Sequence, residues 1–220
     1  MLSVRRPVVA QTVAGLRALL VFTVICGILY PAVVLGLAQL PGLKPRADGS
    51  LLTDHGRPVG SSLIGQSFTD AAGQPLMRYF QSRPSAGGYD PTASGASNLG
   101  PESPDLLSQV CARSAAVGAL EGVSGARPYC ADGAGTRARG GAPADPAVPA
   151  DAVTASGSGL DPDISPAYAR LQERRVAAAR GLPVDTVRRL VEEHTTGRTL
   201  GFLGEPVVNV VELNLALDQL

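Results

Sequence analysis

The sequence predicts an α+β protein: one N-terminal transmembrane helix followed by a single extracytoplasmic α+β domain. Three observations carry that expectation. Residues 18–40 contain no charged side chain. The C-terminal half alternates apolar residues at helical spacing with a β-branched run at 207–211. Two cysteines, Cys111 and Cys130, lie in the hydrophilic part, where an oxidising compartment would suit them. The expected division is a basic tail at 1–17, the membrane helix at 18–40, a connector at 41–58 and the domain at 59–220. A flexible Gly/Ala/Pro-rich insertion is expected near 122–149.

At about 1.5 Å per residue the uncharged stretch reaches the roughly 30 Å of a bilayer's hydrocarbon core. Lipid offers the backbone no hydrogen-bond partner, so the segment must be helical, and Pro31 is expected to bend it near Tyr30 rather than end it. The competing reading is a cleaved signal peptide, with Gly36-Leu37-Ala38 as the cleavage site, but a signal core is only about 7 to 15 residues long. Gly27, Ala32 and Gly36 would let neighbouring helices approach closely. Arg5, Arg6 and Arg17 before the span are nearly balanced by Lys44, Arg46 and Arg57 after it, so charge asymmetry scarcely orients it. The two cysteines favour a cytoplasmic N-terminus with the bulk outside.

Composition excludes several chemistries. Net charge is zero, so no basic surface speaks for nucleic acid. Lys44 is the only lysine, and it stands in Gly-Leu-Lys-Pro rather than in a phosphate-binding Gly-Lys-Ser/Thr. There is no Cys-x-x-Cys, only His55 and His194, and no Gly-x-Ser-x-Gly, so a zinc site and a hydrolase elbow both lack their residues. Phosphorylation-loop and potassium-filter motifs are missing as well. No catalytic residue and no metal ligand is assigned.

Beyond the span, Leu51-Leu52 and the following Asp54-His55-Gly56-Arg57 read as a short strand and a turn, and 59–68 as a strand entering a loop. Phe68, Tyr79, Phe80 and Tyr89 are four of only nine aromatic residues and flank Arg83-Pro84-Ser85. Aromatic side chains beside arginine suit a buried contact patch, with Tyr79, Arg83, Tyr89 and Asn98 as candidate interface residues. The rings fit a domain core equally well. Residues 94–101 read as a turn-rich loop.

A helix is expected from Pro104 to about Leu120, and most of 122–149 as a surface excursion too poor in apolar residues to offset its ordering entropy. A Cys111–Cys130 bond would partly close it, contributing about 3 kcal/mol; the alternative is two free thiols. The Ser/Gly loop around Ser156, Gly157, Ser158 and Gly159 could present amides to an anion, or simply turn into a capped helix. Ser165 is the expected cap of that helix, Pro166 its first residue and Gly181 its end.

On this helix Tyr168, Ala169, Leu171, Val176, Ala178 and Ala179 fall on one side and Arg170, Glu173, Arg174 and Arg180 opposite. Gln172 and Arg175 land inside the apolar arc and must find partners, expected to be Asp161 and the carbonyls of the Ser/Gly loop. Otherwise Arg175 would snorkel along an apolar rim. A second helix is expected from Val184 to His194, with His194 suiting its negative end better than a ligand role. A strand at 207–211 and a short helix at 212–220 complete the chain.

At these motifs the sequence resembles the KdpC family, the C subunit of the bacterial Kdp potassium-transporting ATPase. The likeness lies in Gly60-Ser61-Ser62-Leu63-Ile64-Gly65-Gln66, in Tyr79-Phe80-Gln81-Ser82-Arg83-Pro84-Ser85-Ala86 and in 94–101. It continues through 154–180 and through Leu200-Gly201-Phe202-Leu203-Gly204-Glu205-Pro206-Val207-Val208-Asn209-Val210 to Asp218. Ala96, Glu102 and the cysteine-bearing insertion depart from the family pattern. The resemblance implies a one-span, non-catalytic subunit of an inner-membrane potassium importer. Its partners would be a channel-like potassium-binding subunit, a P-type ATPase subunit and a small accessory subunit, within membrane lipid and without nucleic acid. It also implies a catalytic chaperone that raises the ATPase subunit's affinity for ATP through a ternary complex, with no cofactor held tightly. A domain outside the membrane cannot touch cytosolic ATP, so either the Ser/Gly loop faces the cytosol or the effect travels through subunit contacts, the favoured reading. A membrane-anchored extracytoplasmic binding module unrelated to ion transport is the alternative.

Overall fold

The computed structural model describes residues 5–127, 129–130 and 147–220. The remaining N-terminal residues and most of the expected insertion, at 128 and 131–146, lie outside the described residues. The chain divides into two compact units, Met1–Ser50 and Leu51–Leu220.

In the first unit, helix α1 (Arg5–Val24) runs through a π-helical turn (Ile25–Leu29) into α2 (Tyr30–Ala38). Within Val8–Ala38 an 18-residue window has a mean hydropathy of 2.5, and none of it is buried within the molecule. The helix therefore begins well before residue 18 and closes at Ala38. Pro31 explains the π-turn: it has no N–H to give, and its ring would collide with the carbonyl four residues back. With Tyr30 donating to the Ile25 carbonyl, the extra residue shifts the ladder so that Pro31 falls in the first turn of α2. Gly27 sits in the π-turn, while Pro31, Ala32 and Gly36 lie on α2; a Cβ at Gly36 would meet no atom within 4 Å. A short α3 (Lys44–Ala47), not anticipated from the sequence, follows, with Lys44 paired to Asp48 at 2.7 Å.

The second unit opens with an antiparallel hairpin, β1 (Leu51–Asp54) and β2 (Arg57–Ser61). Its two-residue turn has positive φ at His55 and Gly56, the geometry whose twist matches the flanking strands. A stretch without helix or named strand runs to Ser103. Then comes α4 (Pro104–Glu121), capped by the Ser103 hydroxyl and ended by Gly122 at φ +68°. The sheet is three short antiparallel strands in the order β3 (Asp163–Ile164), β5 (Val207–Asn209), β4 (Thr195–Thr196). Helices α5 (Pro166–Arg180), α6 (Val184–Glu193) and α7 (Val210–Asp218) pack around it. Ser165 caps α5 through the Tyr168 N–H and Gly181 ends it at φ +66°. The core joins Phe80, Ile164, Tyr168, Val176, Val187, Val208, Leu213 and Leu217, all buried.

Four expectations are corrected here. The run 207–211 is strand only to Asn209, because the Asn209 side chain accepts from the Val211 and Glu212 N–H groups and starts α7 there. Val148, expected in the surface excursion, is buried in the core. On α5, Ala178 and Ala179 are exposed while Glu173 and Ala177 are buried. Contact with α4, α6 and β5 rotates the buried arc, and Glu173 meets Arg188 of α6 at 3.3 Å. Gln172 and Arg175 do point inward, but toward a different segment from the Ser/Gly loop.

Candidate functional site

The interior polar groups converge on residues 76–85, an irregular segment lying between α5 and α7. Such a segment carries N–H and C=O groups that neither helix nor sheet satisfies, and buried ones need partners. Side-chain amides supply them. Asn214 on α7 accepts from the Phe80 N–H at 2.9 Å and donates to the Phe80 carbonyl at 3.0 Å. Gln172 on α5 does the same for Gln81, at 2.6 and 3.2 Å. Each amide acts as a neighbouring strand would, one residue at a time. The Gln81 amide in turn donates to the carbonyls of Phe68, Leu76 and Tyr79.

Arginines close the clamp. Arg175, one turn after Gln172, donates to the Met77 carbonyl at 2.7 Å, the Tyr79 carbonyl at 3.0 Å and the Gln172 side chain at 2.8 Å. Its Nε pairs with Glu121 at 2.9 Å, and both side chains are almost fully buried. The second Glu121 oxygen has no partner among the described residues. Burial pushes the Glu121 carboxyl upward, against the opposing pull of Arg175. Burial and the Glu121 charge also raise the Tyr168 phenol. Arg180 reaches the carbonyls of Arg78 and Leu217 and the Asp218 carboxylate, and its guanidinium stacks 5.0 Å over the Tyr79 ring. The Tyr79 hydroxyl donates to Asp218 at 2.9 Å; burial, then that bond, raises its pKa.

The second half of the segment is bound to the Ser/Gly loop. Arg83 donates to Asp161 at 2.8 Å and to the Thr154 carbonyl at 3.4 Å. The Tyr89 hydroxyl donates to the Arg83 carbonyl at 2.8 Å, and burial pushes it up to about 12. Ser158 accepts at its carbonyl from the Gly95 N–H and the Ser94 hydroxyl; Gly159 accepts from Ser85; Leu160 accepts from Gly65. Around Ser156–Gly159 the loop thus organises its neighbours chiefly through carbonyl oxygens, whereas an anion would need N–H groups aimed at it. Gly159 is obligatory in this contact: its φ is +70°, and a Cβ there would stand 2.8 Å from the Gly95 carbonyl.

The candidate residues therefore fall into distinct places. Gln172 and Arg175 brace 77–81, not the Ser/Gly loop, because Arg83 has already taken Asp161. Tyr79, Arg83 and Tyr89 use their polar atoms inside the domain, and of the four interface candidates only Asn98 is exposed. Gly157 and Ser158 are exposed, whereas Ser156 is buried, with its hydroxyl unpartnered among the described residues. Cys111 and Cys130 form a disulfide. Among the described residues no group of three or more His, Cys, Asp or Glu could hold a metal. Sequence reasoning missed Asn214, Glu121 and the Arg180–Asp218 pair. Asn214 carried the same signal as Gln172, a polar residue at helical spacing within the inward row Val210, Leu213 and Leu217.

This arrangement makes a shape rather than a reaction centre: its charged and amide groups are spent on holding one loop to three helices. The comparisons agree in extent. A protein-family model described as KdpC, the K+-transporting ATPase c chain, matches residues 12–219. A protein of Kineococcus radiotolerans named potassium-transporting ATPase KdpC subunit is 53% identical over 209 residues, 94% of this chain and 92% of its own. Proteins of the same name from Streptomyces coelicolor and Mycobacterium tuberculosis are 50% and 47% identical, covering 94% and 96% of this chain and 91% and 98% of theirs. With most of the helix, the clamp and the C-terminal strand-to-helix turn inside the matched span, the chain belongs to the KdpC family, that of the K+-transporting ATPase c chain.

Proposed function

We propose that this chain is the non-catalytic accessory subunit of an ATP-driven potassium import complex in a bacterial cell membrane. It is anchored by the helix at Val8–Ala38 and acts through its second unit. The observation that carries the reading is the match over residues 12–219, which takes in most of the apolar helix and the clamped domain. A protein whose polar interior is consumed in bracing its own backbone suits the work of holding other subunits in register. The partners are a channel-like potassium-binding subunit, the P-type ATPase subunit and a small accessory subunit.

The domain faces outward and the N-terminus lies in the cytoplasm. The Cys111–Cys130 bond supports this, since disulfides persist mainly in oxidising compartments. In that orientation the chain raises the ATPase subunit's affinity for ATP through subunit contacts and not by touching nucleotide. The carbonyl-led engagement of the Ser/Gly loop supports the indirect route. The test is deletion of the chain's gene and complementation at limiting potassium, with the ATPase assayed for its KM for ATP. Complementation should restore growth and lower that KM. Unchanged growth and KM on deletion would overturn the reading.

A further inference from the structure

Helices α5 and α6 pack side by side and are joined by residues 181–183 alone, so the first half of α5 lies beside the second half of α6. Between them opens a cavity of about 390 Å³, at the small end of the range for ligand pockets. Its walls follow from helical spacing. Pro166, Arg170 and Glu173 fall on one face of α5, and Arg188, Val191 and Glu192 on one face of α6. Thr195, with the base of the β4–β5 turn, closes the end.

The four charged groups in these walls are unequally used. Glu173, its side chain only 5% exposed, meets Arg188 through Oε2 at 3.3 Å. Its other oxygen, Oε1, is buried and has no hydrogen-bond partner among the described residues. An ionised acceptor left unmet in that position costs more than a neutral one. Burial raises the Glu173 pKa more than Arg188 and then Arg170 lower it, as befits a carboxylate short of donors. Arg170 and Glu192 are exposed, and neither forms an ion pair among the described residues.

Charge selects the ligand. Two positive and two negative groups line the cavity, so neither a simple anion nor a simple cation is matched by the whole of it. With Arg188 already paired, the groups still open are one guanidinium, Arg170, and two acceptors, Glu173 Oε1 and Glu192. A guanidinium favours a carboxylate, and two anionic acceptors favour N–H groups on a cation. One molecule carrying an ammonium and a carboxylate meets all three.

We propose that this cavity binds a small free zwitterion, an amino acid, whose primary ammonium donates to Glu173 Oε1 and Glu192 and whose carboxylate meets Arg170. The site lies wholly in the second unit and does not rest on the accessory-subunit reading.

The experiment is isothermal titration of the full chain in detergent at pH 8 with glycine, β-alanine and γ-aminobutyrate in turn, which hold the two charges progressively further apart. At least one should bind saturably, one molecule per chain. The trimethylated counterpart of that ligand has the same charges but no N–H, and should bind at least about tenfold more weakly. Glu173→Gln should weaken binding by a similar factor, and Arg170→Gln by about two- to fivefold, as befits an exposed ion pair. The melting temperature of both variants, read on the same samples, should not fall, so that lost binding is not lost fold. No saturable heat with any of the three amino acids would overturn the site. So would equal affinity for the trimethylated counterpart, or undiminished affinity in either folded variant.

Discussion

Replacing Asn214 by leucine isolates the clamp. Leucine matches asparagine closely in size, so the substitution leaves little room for water at the Phe80 backbone, where Phe80 and Asn214 are both buried. It removes one donor and one acceptor, stranding the Phe80 N–H and C=O that Asn214 now satisfies at 2.9 and 3.0 Å. Each stranded buried group costs about 1–3 kcal/mol. The sum, about 2–6 kcal/mol, is a large part of the total for a domain of this size. With about 2–4 °C per kcal/mol, a loss near 3 kcal/mol lowers the melting temperature by about 6–12 °C. The assay is thermal melting of the full chain in detergent, followed by circular dichroism. Asn214→Asp separates the two bonds: it keeps the acceptor for the Phe80 N–H but turns a second oxygen on the Phe80 carbonyl, so it should fall at least as far at neutral pH and recover partly in acid. A shift under 2 °C for Asn214→Leu would refute the reasoning, since the Phe80 backbone would then have partners other than Asn214.

Three further outcomes are expected. Cys111→Ser should destabilise the chain by about 3 kcal/mol through the loop that the bond closes across a sequence separation of 19, and a reductant should lower the wild-type melting temperature but not that of the variant. Gly159→Ala should cost at least about 2 kcal/mol, from a left-handed backbone conformation plus the clash with the Gly95 carbonyl, read from urea midpoints at constant slope. Glu173 is buried, and burial raises its pKa above the ordinary 4.5 more than Arg188 lowers it. Folding therefore favours its protonated form; the stability it contributes is present below pH 4.5 and is lost as pH rises through the higher folded value. Glu173→Gln should then be more stable than wild type at pH 8, with the gap closing toward pH 4.5 in denaturant titrations.

Most of the helices were legible because they carry local signals. Pro104 to Leu120 for α4, Ser165-Pro166 and Gly181 around α5, and the apolar row of α6 each mark an element within a turn of its true ends, whereas the uncharged run around Pro31 marks the C-terminal end of the membrane helix but not its start at Arg5. The strands of the sheet were less so, because β3 and β4 are two residues each and owe their form to Val208 between them. The inward turn of Gln172 and Arg175 could be read from the helical wheel, but their partners could not. Asp161 is nearer in sequence than Gln81 or Met77, and only the fold shows that Arg83 reaches it first. Glu121 meets Arg175 across 54 residues, and Asn214 meets Phe80 across 134, separations over which sequence carries no distance. Tyr79 and Tyr89 illustrate the same limit: aromatic residues beside arginine read equally as surface patch and as core, and their hydroxyls prove to bind the domain's own Asp218 and Arg83.

An accessory subunit of a potassium-transporting ATPase must travel with the rest of its complex. The most direct measurement is to tag the P-type ATPase subunit, isolate it in mild detergent from membranes of potassium-starved cells, and quantify what accompanies it. This chain is expected in fixed proportion to the ATPase and channel-like subunits, retained through salt washes. Its absence from the isolated complex, with the ATPase and channel-like subunits still together and importing potassium, would rule out the accessory role.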